Sequence, residues 1–165
     1  MYDISVNHHG VLFNLGFHPI ILYLFPMAWL YSIPFNFIVD SIVFIVGMKL
    51  FGFQNKAQLY KKRILFIVVF GFLADIIGAC LYTFFESIQF IKSEDVTKYW
   101  PSNFIGVTIS ILVAGIFIYI FNYFITFKKI DIMKKQRIMI SLLFVIITMP
   151  YLFYMKTYWR NGIWR

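Results

Sequence analysis

Residues 64–85 read Ile-Leu-Phe-Ile-Val-Val-Phe-Gly-Phe-Leu-Ala-Asp-Ile-Ile-Gly-Ala-Cys-Leu-Tyr-Thr-Phe-Phe. A single charge, Asp75, interrupts an otherwise apolar run. As an α-helix this stretch would be about 33 Å long, enough for the roughly 30 Å hydrocarbon core of a bilayer. Residues 103–127 and 138–155 repeat the pattern without any charge. Residues 35–53 form a fourth such stretch, with Asp40 at its centre and Lys49 near one end, where a lysine stem can snorkel toward the headgroups.

The whole chain has the same bias. Its 165 residues are 61% hydrophobic, 22% aromatic and only 13% charged. Soluble domains carry about 25% charge, and a small one still exposes a large share of its surface to water. A bilayer accepts this composition and a soluble core does not. The expectation is an all-α polytopic transmembrane helix bundle with four firm spans, forming a single membrane domain over residues 1–165. No room is left for a soluble catalytic domain.

The net charge of +8 does not point to nucleic acid, because the basic residues are clustered in two short loops. Lys49, Lys56, Lys61, Lys62 and Arg63 lie in or beside residues 54–63. Lys128, Lys129, Lys134, Lys135 and Arg137 lie in residues 128–137. This is the positive-inside pattern, so both loops are expected in the cytoplasm, where they would also attract anionic lipid headgroups. The C-terminus is then outside. Lys156, Arg160 and Arg165 run against that rule, whereas Tyr158, Trp159 and Trp164 suit an outer aromatic belt. The outer loop, residues 86–102, mixes Glu86, Glu94 and Asp95 with Lys92 and Lys98.

The region before residue 35 has two readings. Residues 11–32 are apolar but are broken by Asn14, Gly16, His18, Pro19 and Pro26. Pro26 removes a helical hydrogen bond if it is internal, and Pro34 marks a break before the next span. The segment is either a fifth, kinked span or a short helix, about residues 19–31, that lies in the interface or re-enters. Tyr23, Trp29 and Tyr31 favour the interfacial reading.

The two buried carboxylates are the leading functional candidates. An acid at mid-bilayer costs at least roughly 2.5–3.5 kcal/mol on insertion scales. Asp40 is 13 residues, or about 20 Å, from Phe53, and Asp75 is 12 residues, or about 18 Å, from Arg63. Measured from the connecting loop, they would lie at nearly equal depth and, if facing, would share a proton. Asn36, Asp40 and Gly47 lie on one helical stripe. Gly71, Ala74, Asp75, Gly78 and Ala79 form another, and Gly106, Ser110 and Ala114 a third. Small stripes let membrane helices approach closely. The bland alternative is that Asp40 bonds Asn36 or a carbonyl, and that Asp75 bonds Ser110 or Tyr119. Asn122 continues the third stripe toward the cytoplasm, Ser141 and Thr148 add polar groups to the last span, and Pro150 is expected to kink it.

Other chemistry has little support. Cys80 is the lone cysteine and lies mid-span, so no disulfide or thiolate metal cluster is expected. His8, His9 and His18 lack carboxylate–histidine spacing, and no metal or cofactor is expected. The contexts Ile-Val-Asp-Ser and Leu-Ala-Asp-Ile lack the GxGD pattern of intramembrane aspartyl proteases, and no HExxH, nucleophile elbow or phosphate loop occurs. No catalytic set is visible.

Residues 34–41, Pro-Phe-Asn-Phe-Ile-Val-Asp-Ser, and 71–78, Gly-Phe-Leu-Ala-Asp-Ile-Ile-Gly, resemble segments of uncharacterised small polytopic membrane proteins of low-GC Gram-positive bacteria. The resemblance covers the first half of the chain. It implies a bacterial plasma membrane and carries no activity. Two functions remain open. One is a transport or channel-like component that uses Asp40 and Asp75, helped by Asn36 and Asn122, for a proton or cation. The other is a non-catalytic accessory or immunity subunit whose stripes pack against a second copy or a membrane partner.

Overall fold

A computed structural model describes residues 26–87 and 104–154. Helix α1 is Pro26–Leu50, α2 Lys56–Ser87, α3 Phe104–Ile120 and α4 Lys134–Thr148. A π-helical turn, Phe121–Thr126, extends α3, and a 3-10 turn, Tyr151–Tyr154, follows α4. Among the described residues there is no strand, and four helices are long and apolar enough to cross a membrane. The all-α bundle with four spans is therefore the fold.

The helices run up and down in a ring. Sequence neighbours pack together, and α4 closes the ring against α1. Only 28% to 44% of each span's apolar window is buried within the chain. The outward faces carry residues such as Ile42, Leu73, Leu112 and Ile146. In water such surfaces would cost about 25 cal/mol per Å², whereas lipid tails solvate them. This is a multi-pass membrane protein.

Phe44, Phe127 and Phe144 form the core nearer the basic loops, with ring centroids 5.8–6.3 Å apart. Phe72, Ala79, Tyr82, Val107, Ile111 and Phe153 form a second cluster toward the other end. Tyr60 stacks near Phe44 and donates a 2.8 Å hydrogen bond to the Ser41 hydroxyl.

The prolines act differently from expectation. Pro26 lies at the edge of the described residues, within α1. Pro34 lies inside α1 and does not break it. One lost hydrogen bond there is outweighed by the helix that continues on both sides, which satisfies the remaining backbone groups in lipid. The span thus reaches at least as far back as Trp29 instead of starting at residue 35. Residues 26–31 of the expected separate short helix belong to α1. Pro150 ends α4 and does not kink it. The preceding residue, Met149, has ψ 144°, the extended conformation that a following proline favours.

Residues 1–25, the loop from 88 to 103 and the tail beyond 154 lie outside the described residues. With them fall His8, His9 and His18, the choice between an interfacial and a fifth helix, and the aromatic belt at the C-terminus.

The turn after α1 follows from one glycine. Gly52 has φ +65°, a conformation that disfavours any Cβ. It allows the Phe53 N–H to reach the Met48 carbonyl at 3.0 Å and its own N–H to reach the Lys49 carbonyl at 3.4 Å, a Schellman closure.

Both basic loops emerge at the same end of the bundle. With the exposed Cys80 replaced by Ser, Lys61→Cys and Lys134→Cys should react with an impermeant thiol reagent only after the membrane is opened, and Asp95→Cys should react from outside. Labelling of Lys61→Cys in sealed cells would overturn the threading.

Candidate functional site

Asp40 and Asp75 are both buried, each 5% exposed. They line one cavity of about 260 Å³ between α1, α2 and the end of α4. The α1–α2 crossing sets their relation. The Asn36 Nδ2 donates to Asp75 Oδ2 at 3.5 Å, and one turn along, Asp40 Oδ2 lies 3.4 Å from where a Cβ on Gly71 would stand. Asn36 is thus level with Asp75, and Gly71 is level with Asp40. The carboxyls are staggered by one helical turn, about 6 Å, and are not at equal depth. The count from the loop assumed that α2 meets the hydrocarbon at Arg63, but it begins at Lys56 and is already deep in the bundle by Asp75.

The third wall is the C-terminal end of α4. Ile147, Thr148, Met149 and Pro150 close the cavity there. The Val145 carbonyl accepts the Met149 N–H and the Ile146 carbonyl accepts the Tyr151 hydroxyl, and the helix dipole places about half a negative charge at this end. The Thr148 hydroxyl donates to the Phe144 carbonyl at 2.8 Å, so its oxygen can still accept from or coordinate a guest. Among the described residues that line the cavity, none is basic. Two carboxyls, an amide oxygen, a hydroxyl and a helix C-terminus are donors that suit a hard cation or a proton. They repel an anion.

The small residues divide their work. Gly71 leaves room for Asp40 on the α1 side of α2. Gly78, two turns along, faces α3, where its Cβ position lies 2.9 Å from Ala114 Cβ and 3.1 Å from the Ser110 carbonyl. The α2 stripe therefore serves two neighbours and not the hairpin alone. Ala74 and Ala114 are fully buried, and Gly106 is buried and accepts the Ser110 hydroxyl at 2.8 Å. Ser110 thus donates within its own helix, and Asn36 is a donor to Asp75. Gly47 seats Ile140 and Leu143 of α4, at 3.1–3.3 Å from its Cβ position.

Asn122 is not at this cavity. It sits in the π turn, 2% exposed, and its carbonyl accepts the Phe127 N–H at 2.9 Å. Its side-chain oxygen, with the hydroxyls of Thr126 and Ser141, has no hydrogen-bond partner among the described residues. All three lie in the half of the bundle nearer the basic loops.

No family model, curated protein or solved structure matches this chain. The sequence reading missed the α4 end as a wall. Pro150 was the available signal, since a proline fixes where the preceding helix ends and so where the negative end of its dipole lies.

Proposed function

We propose that this protein is a small transport or channel-like component of a bacterial plasma membrane, with its basic loops inside and its C-terminus outside. Asp40 and Asp75 bind a proton or small cation, oriented by Asn36 and Thr148. The observation that carries this reading is that both carboxyls border one cavity that has no basic lining residue and receives the negative end of α4. Ionisable residues inside a membrane are costly and point by default to a functional site, ion and proton pathways among them.

The alternative, an accessory or immunity subunit, drew on the small-residue stripes. Gly47, Gly78, Ser110 and Ala114 are engaged by helices of the same chain, so these stripes no longer argue for an outside partner.

The direct test is flux. Purified protein in sealed vesicles should dissipate an imposed proton, sodium or potassium gradient faster than protein-free vesicles do. Rates equal to those of empty vesicles for all three ions would defeat the proposal.

A further inference from the structure

A second cavity, about 500 Å³, lies at the opposite end of the bundle where the two basic loops meet. It is not a passive gap between mobile turns. The Gln136 Nε2 donates to the Phe51 carbonyl at 2.7 Å, tying α4 to the first loop. The Arg63 guanidinium donates to the Lys129 carbonyl at 3.2 Å, tying α2 to the second. These two bonds join segments 85 and 66 residues apart in the chain and hold the walls of the cavity together.

The walls are electropositive. Lys62, Arg63 and Lys129 border the cavity against a single acid, Asp131. Helices α2 and α4 both begin at this end, and neither has an acidic residue in its first turn to offset the positive end of its dipole. Gln58 and Gln136 add neutral amides. The volume falls within the roughly 300–1,000 Å³ of small-molecule sites.

We infer that this cavity binds a phosphate-bearing anion, either the headgroup of an anionic phospholipid or a soluble phosphate. Lysine point charges and oriented N–H groups recognise phosphate, and the cavity lies where the spans leave the hydrocarbon. The site is discrete. It differs from the diffuse attraction that any basic loop exerts on a negative membrane surface.

The test uses the full chain in neutral detergent and reads the thermal midpoint during titration with three probes. These are short-chain phosphatidylglycerol, phosphatidylcholine of the same chain length, and inorganic phosphate against chloride at matched ionic strength. Phosphatidylglycerol or phosphate should raise the midpoint, and phosphatidylcholine and chloride should not. A response to phosphatidylglycerol alone assigns the headgroup, and a response to both probes assigns phosphate itself. Lys62→Gln/Lys129→Gln should weaken the apparent affinity at least tenfold, and Lys62→Arg/Lys129→Arg should retain it. Both lysines are exposed, so the fold should survive either change. Lys61→Gln/Lys135→Gln removes the same charge from outside the cavity and should leave affinity unchanged. Equal losses in the two glutamine pairs, or no response of the unaltered protein to either anion, would overturn the site.

Discussion

Gly78→Leu is expected to disrupt the folding of the bundle, with a large loss of stability and yield. At this position α2 and α3 approach so closely that even a methyl group would lie 2.9 Å from Ala114 Cβ and 3.1 Å from the Ser110 carbonyl. Phe153 closes the third side at 3.5 Å. Backbone cannot move aside as a flexible side chain can, so the two helices must separate. Over-packing a close core typically costs 1–3 kcal/mol, and a whole isobutyl group against backbone belongs at or above about 3 kcal/mol. That is a large part of a typical stability of about 5–15 kcal/mol. Purified yield and thermal midpoint in detergent would show it. Ser110→Leu should behave similarly, since Ser110 is fully buried across the same crossing. Phe66→Leu should be mild, because Phe66 is 47% exposed on the outer face of α2. Equal tolerance at Gly78 and Phe66 would mean that α2 and α3 do not cross here.

Asp40→Asn and Asp75→Asn should each remove at least nine-tenths of the proposed ion flux and leave the bundle folded. Asn matches Asp in size, and its amide both donates and accepts hydrogen bonds. The bond from Asn36 to position 75 survives, because an amide oxygen can accept where Asp75 Oδ2 does. What disappears is the capacity to carry net negative charge or to exchange a proton. Cation coordination and proton transfer both need that capacity, whereas helix packing does not. The informative measurement pairs flux with thermal midpoint on the same preparation. Lost flux with an unshifted midpoint supports the site. Full flux in both variants would remove the carboxyls from the pathway and leave them as local hydrogen-bonding groups. Lys61→Gln, exposed at the basic end and bordering neither cavity, is the matched charge control.

These two expectations rest on different kinds of information. Gly78 was legible from spacing, because small residues three and four apart on an apolar helix mark a packing face in any membrane bundle. The partner across that face was not legible. Spacing placed Gly71 and Gly78 on one stripe without naming its neighbour, whereas in the fold Gly71 faces Asp40 of α1 and Gly78 faces α3. Seven residues on a helix of 3.6 per turn come back to nearly the same face. A few degrees of rotation and the crossing angle then decide which neighbour each glycine meets.

The depth of the carboxyls shows the same division. That Asp40 and Asp75 lie inside the membrane follows from apolar residues on both sides of each, since no other solvent suits those flanks. Their stagger by one turn depends on where α1 ends and α2 begins. Gly52 and Asn55, both at positive φ, place the connection there, seven residues before the Arg63 used to count depth.

By itself the sequence determined the all-α class, the four spans and the placement of the basic residues at one end. Each of these depends only on summed transfer free energy along a segment and on local charge, quantities that every residue contributes independently of its distant neighbours. Only the tertiary structure decided that two acids, Asn36 and the end of α4 border one cavity. It likewise decided that the two basic loops enclose another and that Asn122 belongs to neither. Those outcomes depend on helix rotation and register, which are set by close packing between segments far apart in the chain. A periodicity read along one helix carries no information about the phase of the next.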